Sequence, residues 1–285
     1  MKRVLLIGGS GQLGTAIRRR WDDCEITAPT HAELDIRHSV ALAEALARSR
    51  ADVLVNAAAF HDVDRCESEP LAAFETNAVA VGVAARLARD AGALFVTLST
   101  DYVFDGEGGT PYTEADAPHP LSVYGTSKLA GEHLVERLRA PAFVVRTCGI
   151  YGPTSSASRR PSLLDRVLAS RAGAPLRVVA DVCASPTFAG DLADALRRLI
   201  DRDVYGLYHA VNAGPVSWYE FAAEAARLAG TDAQIEPIRA EQRSTVAPRP
   251  RFSALSNAKL GGLGIRMPSW REGLAACLGV SPAIG

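Results

Sequence analysis

Nearly continuous apolar runs recur at residues 4–7, 53–55, 94–98 and 143–145, and the first three are closed by Gly8, Asn56 and Ser99. A strand covered on both faces needs apolar side chains at successive positions, not alternate ones. These runs therefore predict strands of a buried parallel sheet. A further strand is predicted over residues 24–28. Helical stretches lie between the runs. Residues 40–48 are rich in Ala and Leu, and Pro70 opens a long helix that ends at Gly92 as a C-terminal cap. Alternation of strand and helix predicts an α/β domain with a doubly wound, Rossmann-like parallel sheet.

The texture changes after about residue 150. Residues 151–161 are rich in Gly, Pro, Ser and Arg and read as a loop. Ser217-x-x-Glu220 and Ser269-x-x-Glu272 are capping boxes that open later helices. Residues 237–250 look irregular. The expected division is a dinucleotide-binding domain over 1–150 and a smaller substrate-binding lid over 151–285. Residues 207–212 and 181–195 are the segments expected to return to the sheet.

Composition narrows the function classes. A chain of 285 residues with 48% hydrophobic and 22% charged residues suits an ordinary globular protein. A net charge of −1 carries no footprint for nucleic acid. The clusters Arg18-Arg19-Arg20, Arg159-Arg160 and Arg197-Arg198 read as solvated helix faces. Five scattered cysteines without a C-x-x-C fit a reducing cytoplasm and give no zinc site, so no metal is expected. No segment is expected to span a membrane, and the apolar run at the start stops at Gly8, too early for a signal sequence.

Gly8-Gly9-Ser10-Gly11-Gln12-Leu13-Gly14 directly follows the first strand and opens a helix. Gly8 would permit the tight turn, Gly11 would let the backbone approach a pyrophosphate, and Gly14 would let helix and strand pack closely. The anion would sit on free N–H groups of the helix N-terminus. The end of the second strand carries no acidic residue for a ribose 2′-hydroxyl, which favours NADP over NAD, although only His31 is there to meet a 2′-phosphate. Asp35 is read either as a partner of the adenine amino group or as an N-cap for the helix from Val40. Ala57, Ala58 and Ala59 follow the third strand and are small enough to pass beside the cofactor.

Tyr124-Gly125-Thr126-Ser127-Lys128 places a tyrosine and a lysine four residues apart, on one helix face. A free tyrosine has a pKa near ~10 and is a sluggish acid and a poor base at neutral pH. A nearby ammonium would lower that value, and Thr100 in Ser99-Thr100-Asp101 would hydrogen-bond a carbonyl.

The motifs run in order along nearly the whole chain. They are the glycine loop, Leu34-Asp35-Ile36, Val55-Asn56-Ala57-Ala58-Ala59 with Val63-Asp64-x-x-Glu67, and Ser99-Thr100-Asp101-Tyr102-Val103-Phe104-Asp105-Gly106. Pro120-Leu121-x-x-Tyr124-Gly125-x-x-Lys128, Ser185-Pro186-Thr187, Arg249-Pro250 and Pro268-x-Trp270 follow. In these the chain resembles an extended short-chain dehydrogenase/reductase of the dTDP-4-dehydrorhamnose reductase group. The resemblance implies reduction of the C4 ketone of a dTDP-linked 6-deoxyhexose, giving dTDP-L-rhamnose. It implies Thr100, Tyr124 and Lys128 as the catalytic triad, and Ser10, Gly11, Gln12, Asp35, Ile36 and residues 59–61, including His61, as cofactor contacts. Thr100, Asp101, Gly149 and Arg249 are the expected substrate contacts. Gly149 stands where the family's reductases carry a tryptophan expected to pack on the sugar, which leaves the hexose open. Asp64 and Glu67 match positions that some relatives use at a metal-bridged dimer interface, so a homodimer is left open; the plainer reading is surface carboxylates. Two other classes share the fold. One is a non-catalytic nucleotide-binding subunit, which would have lost the triad. The other is a sugar-nucleotide epimerase or dehydratase; dehydratases often place Asp-Glu after the active-site Thr, whereas here Asp101-Tyr102 follows.

Overall fold

A computed structural model describes residues 1–154, 161–170 and 175–281. Arg159-Arg160 and most of the loop expected over 151–161 lie outside the described residues. Five strands form in the first half: β1 (Lys2–Ile7), β2 (Cys24–Thr27), β3 (Val53–Asn56), β4 (Leu94–Thr100) and β5 (Ala142–Thr147). The chain then makes four short strands, β6 (Ile150–Tyr151), β7 (Leu176–Val179), β8 (Cys183–Ala184) and β9 (Thr187–Phe188), before β10 (Gly206–His209). The central sheet has six strands in the order β10-β5-β4-β3-β1-β2, all pairs parallel. The winding reverses between β1 and β3, which is where ligands bind in such sheets.

Successive strand residues face opposite layers. Val4 and Leu6 pack with α1 (Gln12–Arg20), while Leu5 and Ile7 pack with α2 (Ser39–Ser49). Both faces are fully covered, so each such side chain contributes about 1.5–3 kcal/mol by burial. Arg18, Arg19, Arg20 and Arg198 are exposed as expected, while Arg197 is half-buried. Arg20 pairs with Asp194 at 2.6 Å and Arg197 with Asp23, and both ties join the first helical layer to the helix Ala189–Leu199.

The helices between β3 and β5 position the site. After α3 (Val63–Ser68), the run from Pro70 splits into α4 (Pro70–Phe74), a π-helical turn at Glu75–Val79 and α5 (Ala80–Asp90). By length and composition this 21-residue run is long and apolar enough to cross a membrane. The expectation that no segment qualifies is thus corrected, but the run is a core helix here: Ala80, Val81, Ala84, Ala85 and Ala88 are buried against the sheet layer. Then α6 (Val123–Glu136) crosses the π turn so closely that a Cβ on Gly131 would lie 2.3 Å from the Asn77 carbonyl oxygen.

The second half builds a smaller unit, the part expected to serve as the lid and so labelled below, on α7 (Leu163–Ala169), α9 (Trp218–Ala229) and α11 (Trp270–Leu278), whose Leu164, Phe221, Trp270 and Leu274 share a core. Both expected capping boxes form, at Ser217/Glu220 and Ser269/Glu272. Two helices of the second half pack elsewhere. α8 (Ala189–Leu199) covers the central sheet, and α10 (Ala258–Gly261) contributes Leu260 to the same core. Residues 207–212 do return to the sheet, as β10. Residues 181–195 supply α8 over the sheet and β8, which pairs with β11 (Val216–Ser217) outside it. The segment from Pro237 is more regular than expected, because Pro237 lies in β12 (Ile235–Ile238), paired parallel with β7.

Candidate active site

The glycine loop closes on the switch point. Gly8 has φ +82°, and a Cβ there would meet the Ala57 carbonyl carbon and the Ala58 nitrogen at 2.8 Å. A Cβ on Gly14 would sit 2.3 Å from the Gly8 carbonyl oxygen, so α1 touches the loop backbone. At Gly11 the nearest atom to a Cβ would be 3.5 Å away, which leaves that face open. Gly11 is the N-cap of α1, and it has no side-chain capping bond and no acidic residue in the first turn behind it. The first-turn N–H groups are therefore available to an anion, and the cradle fits a dinucleotide pyrophosphate. The Ser10 carbonyl accepts from Thr154 at 2.8 Å, and Gln12 Nε2 donates to the Gly152 carbonyl at 3.2 Å, tying the loop to the start of the lid. Leu13 and Ile36 have buried side chains, so they face a cofactor only through backbone.

On the side expected to face adenosine, Asp35 is engaged by Arg37, whose Nη2 lies 2.5 Å from Oδ2 and whose backbone N–H donates to Oδ1 at 2.9 Å. This guanidinium holds the Asp35 carboxyl down at about 2. Asp35 thus caps a local turn rather than α2, whose N-cap is His38. His31 is exposed, 3.7 Å from Asp35. A Cβ on Gly9 would lie 2.9 Å from the Ala28 Cβ and 3.7 Å from the Arg18 Cδ. The side chain of Arg18 therefore runs beside the junction of loop and second strand, a place where the local sequence offers only His31. The segment 57–61 is fixed by buried Asn77, whose Oδ1 accepts from Phe60 N at 2.9 Å and whose Nδ2 donates to the Phe60 carbonyl and to Ser127, both at 3.0 Å. His61 is exposed, its Nδ1 3.4 Å from the Ala59 carbonyl.

Thr100 ends β4, and its hydroxyl donates to Asp101 Oδ1 at 3.0 Å and accepts from the Tyr102 N–H at 3.2 Å. Asp101 is buried and also accepts from Ser253 at 2.6 Å. Burial pushes its carboxyl up, and these hydroxyl donors pull against that. Asp101 therefore holds Thr100 from below instead of facing a substrate. Dry surroundings push the Tyr124 phenol above its ordinary value, and the neighbouring Thr100 hydroxyl works against that. Lys128 is buried and donates to the Leu98 carbonyl at 2.6 Å. Desolvation pulls its ammonium down to about 8, opposed by Glu132. The expected lowering of the tyrosine by the lysine is not the dominant effect here; burial of the phenol is. Glu132 is itself paired with buried Arg146 at 2.7 Å and accepts from Ser99, so a polar network lies under the triad.

Beyond Tyr102, whose ring packs edge-on to Tyr124 with centroids 6.0 Å apart, two cavities open under the lid. They have volumes of about 560 and 370 Å³ and share Tyr102, Val179, Trp218, Arg243 and Arg249. Neither is lined by Thr100, Tyr124 or Lys128. Gly149 lines the larger cavity. Arg249 Nη2 is bound to Asp64 at 3.0 Å, and Asp64 also accepts from Val246 and Ala247. Glu67 accepts from Val123 N–H at the start of α6. Asp64 and Glu67 are thus half-buried carboxylates that accept intramolecular bonds, and no group of three or more His, Cys, Asp or Glu that could hold a metal occurs among the described residues.

The comparisons with known proteins agree with this geometry. The family model for the RmlD substrate binding domain matches residues 1–281. The Bacillus subtilis spore coat polysaccharide biosynthesis protein SpsK is 35% identical, over 96% of this chain and 96% of the relative. The dTDP-4-dehydrorhamnose reductase of Escherichia coli is also 35% identical, with 96% of each chain covered. A crystal structure of the Bacillus anthracis dTDP-4-dehydrorhamnose reductase in complex with NADP superposes with a TM-score of 0.90 at 32% identity, covering 97% of this chain and 98% of that one. The chain belongs to the RmlD substrate binding domain family, on the fold of the sugar-nucleotide reductases.

Proposed function

We propose that this protein is an NADPH-dependent reductase of the 4-keto group of a dTDP-linked 6-deoxyhexose, acting in the cytoplasm in the formation of dTDP-L-rhamnose. The observation that carries the reading is the Tyr124 phenol beside Thr100 at the carboxyl end of β4, with Lys128 buried one turn along α6. The retained triad argues against a non-catalytic subunit. The glycine cradle, Ala57–Ala59 and the α1 N-terminus would hold the dinucleotide. Its nicotinamide, when bound, supplies hydride to the carbonyl carbon.

The protein's own part is positioning and proton supply. In the free protein Thr100 gives its one hydroxyl proton to Asp101; on substrate binding that proton turns to the carbonyl oxygen and stabilises the charge that grows on it, while Asp101 is left to Ser253. Tyr124 delivers the proton as general acid. Burial in the free protein keeps the phenol protonated but makes it a weaker acid, so the proton leaves only as the alkoxide, a stronger base, forms on the substrate. Lys128, still mostly charged below about 8, places a cation beneath the reacting centre and holds the ribose side of the cofactor. Asn77 and Ser127 hold the helix carrying both residues against segment 57–61. Arg166, Arg177 and Arg243 line the larger cavity and make no ion pair with another described residue, which fits a diphosphate. Arg18 beside the end of β2 supports NADPH over NADH.

The test is NADPH oxidation with dTDP-4-dehydro-6-deoxyhexose as substrate. The wild type should turn over, and Tyr124→Phe should lose about 10²–10⁴-fold in kcat while binding NADPH normally. Near-normal turnover by Tyr124→Phe would refute the assignment.

A further inference from the structure

Gly149 follows Cys148 just past the end of β5 and has φ +47°. A Cβ there would lie 2.5 Å from Cη2 of Trp218 and 3.4 Å from its Cζ2. Those are side-chain atoms of the first residue of lid helix α9, 69 positions along by residue number. The indole thus occupies the space that any side chain at 149 would fill. It is anchored in both directions. Its ring meets Phe221 edge-on with centroids 6.2 Å apart, and it packs against both the lid core and the core at the sheet end that holds Val103, Phe104 and Cys148. Trp21 and Trp270 are buried, so Trp218 is the one tryptophan of three with surface to offer. That surface lines both cavities, next to Tyr102. The indole N–H donates to no group among the described residues.

The cavity walls are otherwise rich in arginine, and guanidinium groups suit phosphate. A hexose ring instead presents a face of C–H bonds, which packs well on a large aromatic plane, with the indole N–H able to serve a hydroxyl. The geometry points to Trp218 as the platform on which the sugar ring of the substrate rests, made accessible by the absence of a side chain at Gly149. The inference rests on the nucleotide-sugar reading above and deepens it. Trp218 fixes the hexose, and the arginines hold the nucleotide diphosphate.

The test compares calorimetric binding of dTDP-L-rhamnose and dTDP to the full chain in three forms: wild type, Trp218→Ala and Trp218→Phe. The wild type should bind the sugar nucleotide more tightly than dTDP. Trp218→Ala should weaken dTDP-L-rhamnose by about tenfold while leaving dTDP within about twofold, and Trp218→Phe should recover most of that loss. Tryptophan fluorescence should change on sugar-nucleotide binding in the wild type and hardly at all in Trp218→Phe. An equal loss for both ligands would mean that Trp218 only seats the lid, and would overturn the inference, as would an unchanged preference for the sugar. A wild type that binds neither ligand would sink the nucleotide-sugar reading itself, a result distinct from either.

Discussion

Lys128 offers a quantitative check on the site, because its ammonium is held in a dry place at a measurable cost. Burial lowers its pKa from 10.5 to about 8. A difference of 2.5 units corresponds to about 3 kcal/mol, the penalty for keeping the charged form in the folded state. The sign follows from proton binding. Below pH 8 both folded and unfolded chains carry the proton, and the folded state bears the full penalty. Between pH 8 and 10.5 the folded chain has released it while the unfolded chain keeps it, so wild-type stability rises with pH. Above 10.5 both are neutral and the penalty is gone. Lys128→Met keeps the length of the side chain and removes the charge. It also removes the 2.6 Å bond to the Leu98 carbonyl, a loss of about 1–3 kcal/mol that hardly changes with pH because the neutral amine still donates. At pH 7 the two effects nearly offset. The discriminating quantity is therefore the slope. Urea unfolding of both proteins from pH 7 to pH 10 should show the wild type gaining up to about 3 kcal/mol relative to Lys128→Met, most of it above pH 8. Other titrating groups are common to both chains and cancel in the difference. A difference that stays flat across that range would refute the claim that Lys128 is charged and desolvated in the free protein.

Other perturbations test neighbouring parts of the argument. Glu132→Ala leaves buried Arg146 without its carboxylate, and should cost about 3–5 kcal/mol in urea unfolding; a cost below about 1 kcal/mol would mean that the pair is well hydrated. Arg18→Ala should raise the KM for NADPH by about ten- to hundredfold and leave that for NADH unchanged, the value of a charge-assisted contact to phosphate; equal effects on both cofactors would remove Arg18 from the 2′-phosphate site.

Much of this arrangement was legible in the sequence because it is local. The apolar runs of β1, β3, β4 and β5 announce a sheet covered on both faces, and Gly8, Gly11 and Gly14 follow the first of them at the spacing a pyrophosphate loop requires. Tyr124 and Lys128 share a helix face through the helical repeat alone. Ser217/Glu220 and Ser269/Glu272 show their caps within four residues. Strand ends were less visible. β4 runs on through polar Ser99 to Thr100, since its last residues gain hydrogen-bonding partners from β5 rather than apolar packing.

Tertiary structure alone decided what depends on distant segments meeting. Asp64 reaches Arg249 across 185 positions, so a residue that reads as a surface carboxylate becomes an anchor of the lid. Ser253 reaches Asp101 across 152 positions and braces Thr100 from beneath. Asn77 looks like an ordinary polar residue in an apolar helix, yet the π turn aims it at segment 57–61 and at α6. Gly149 reads as a missing side chain until Trp218 from the lid is found in its place. The physical reason is common to all four. A periodic pattern or a glycine turn is written within one element by backbone sterics and local burial. The dielectric around Lys128, the partner of a carboxylate and the wall of a cavity are set by whichever elements pack there, and no single stretch of this chain contains that information.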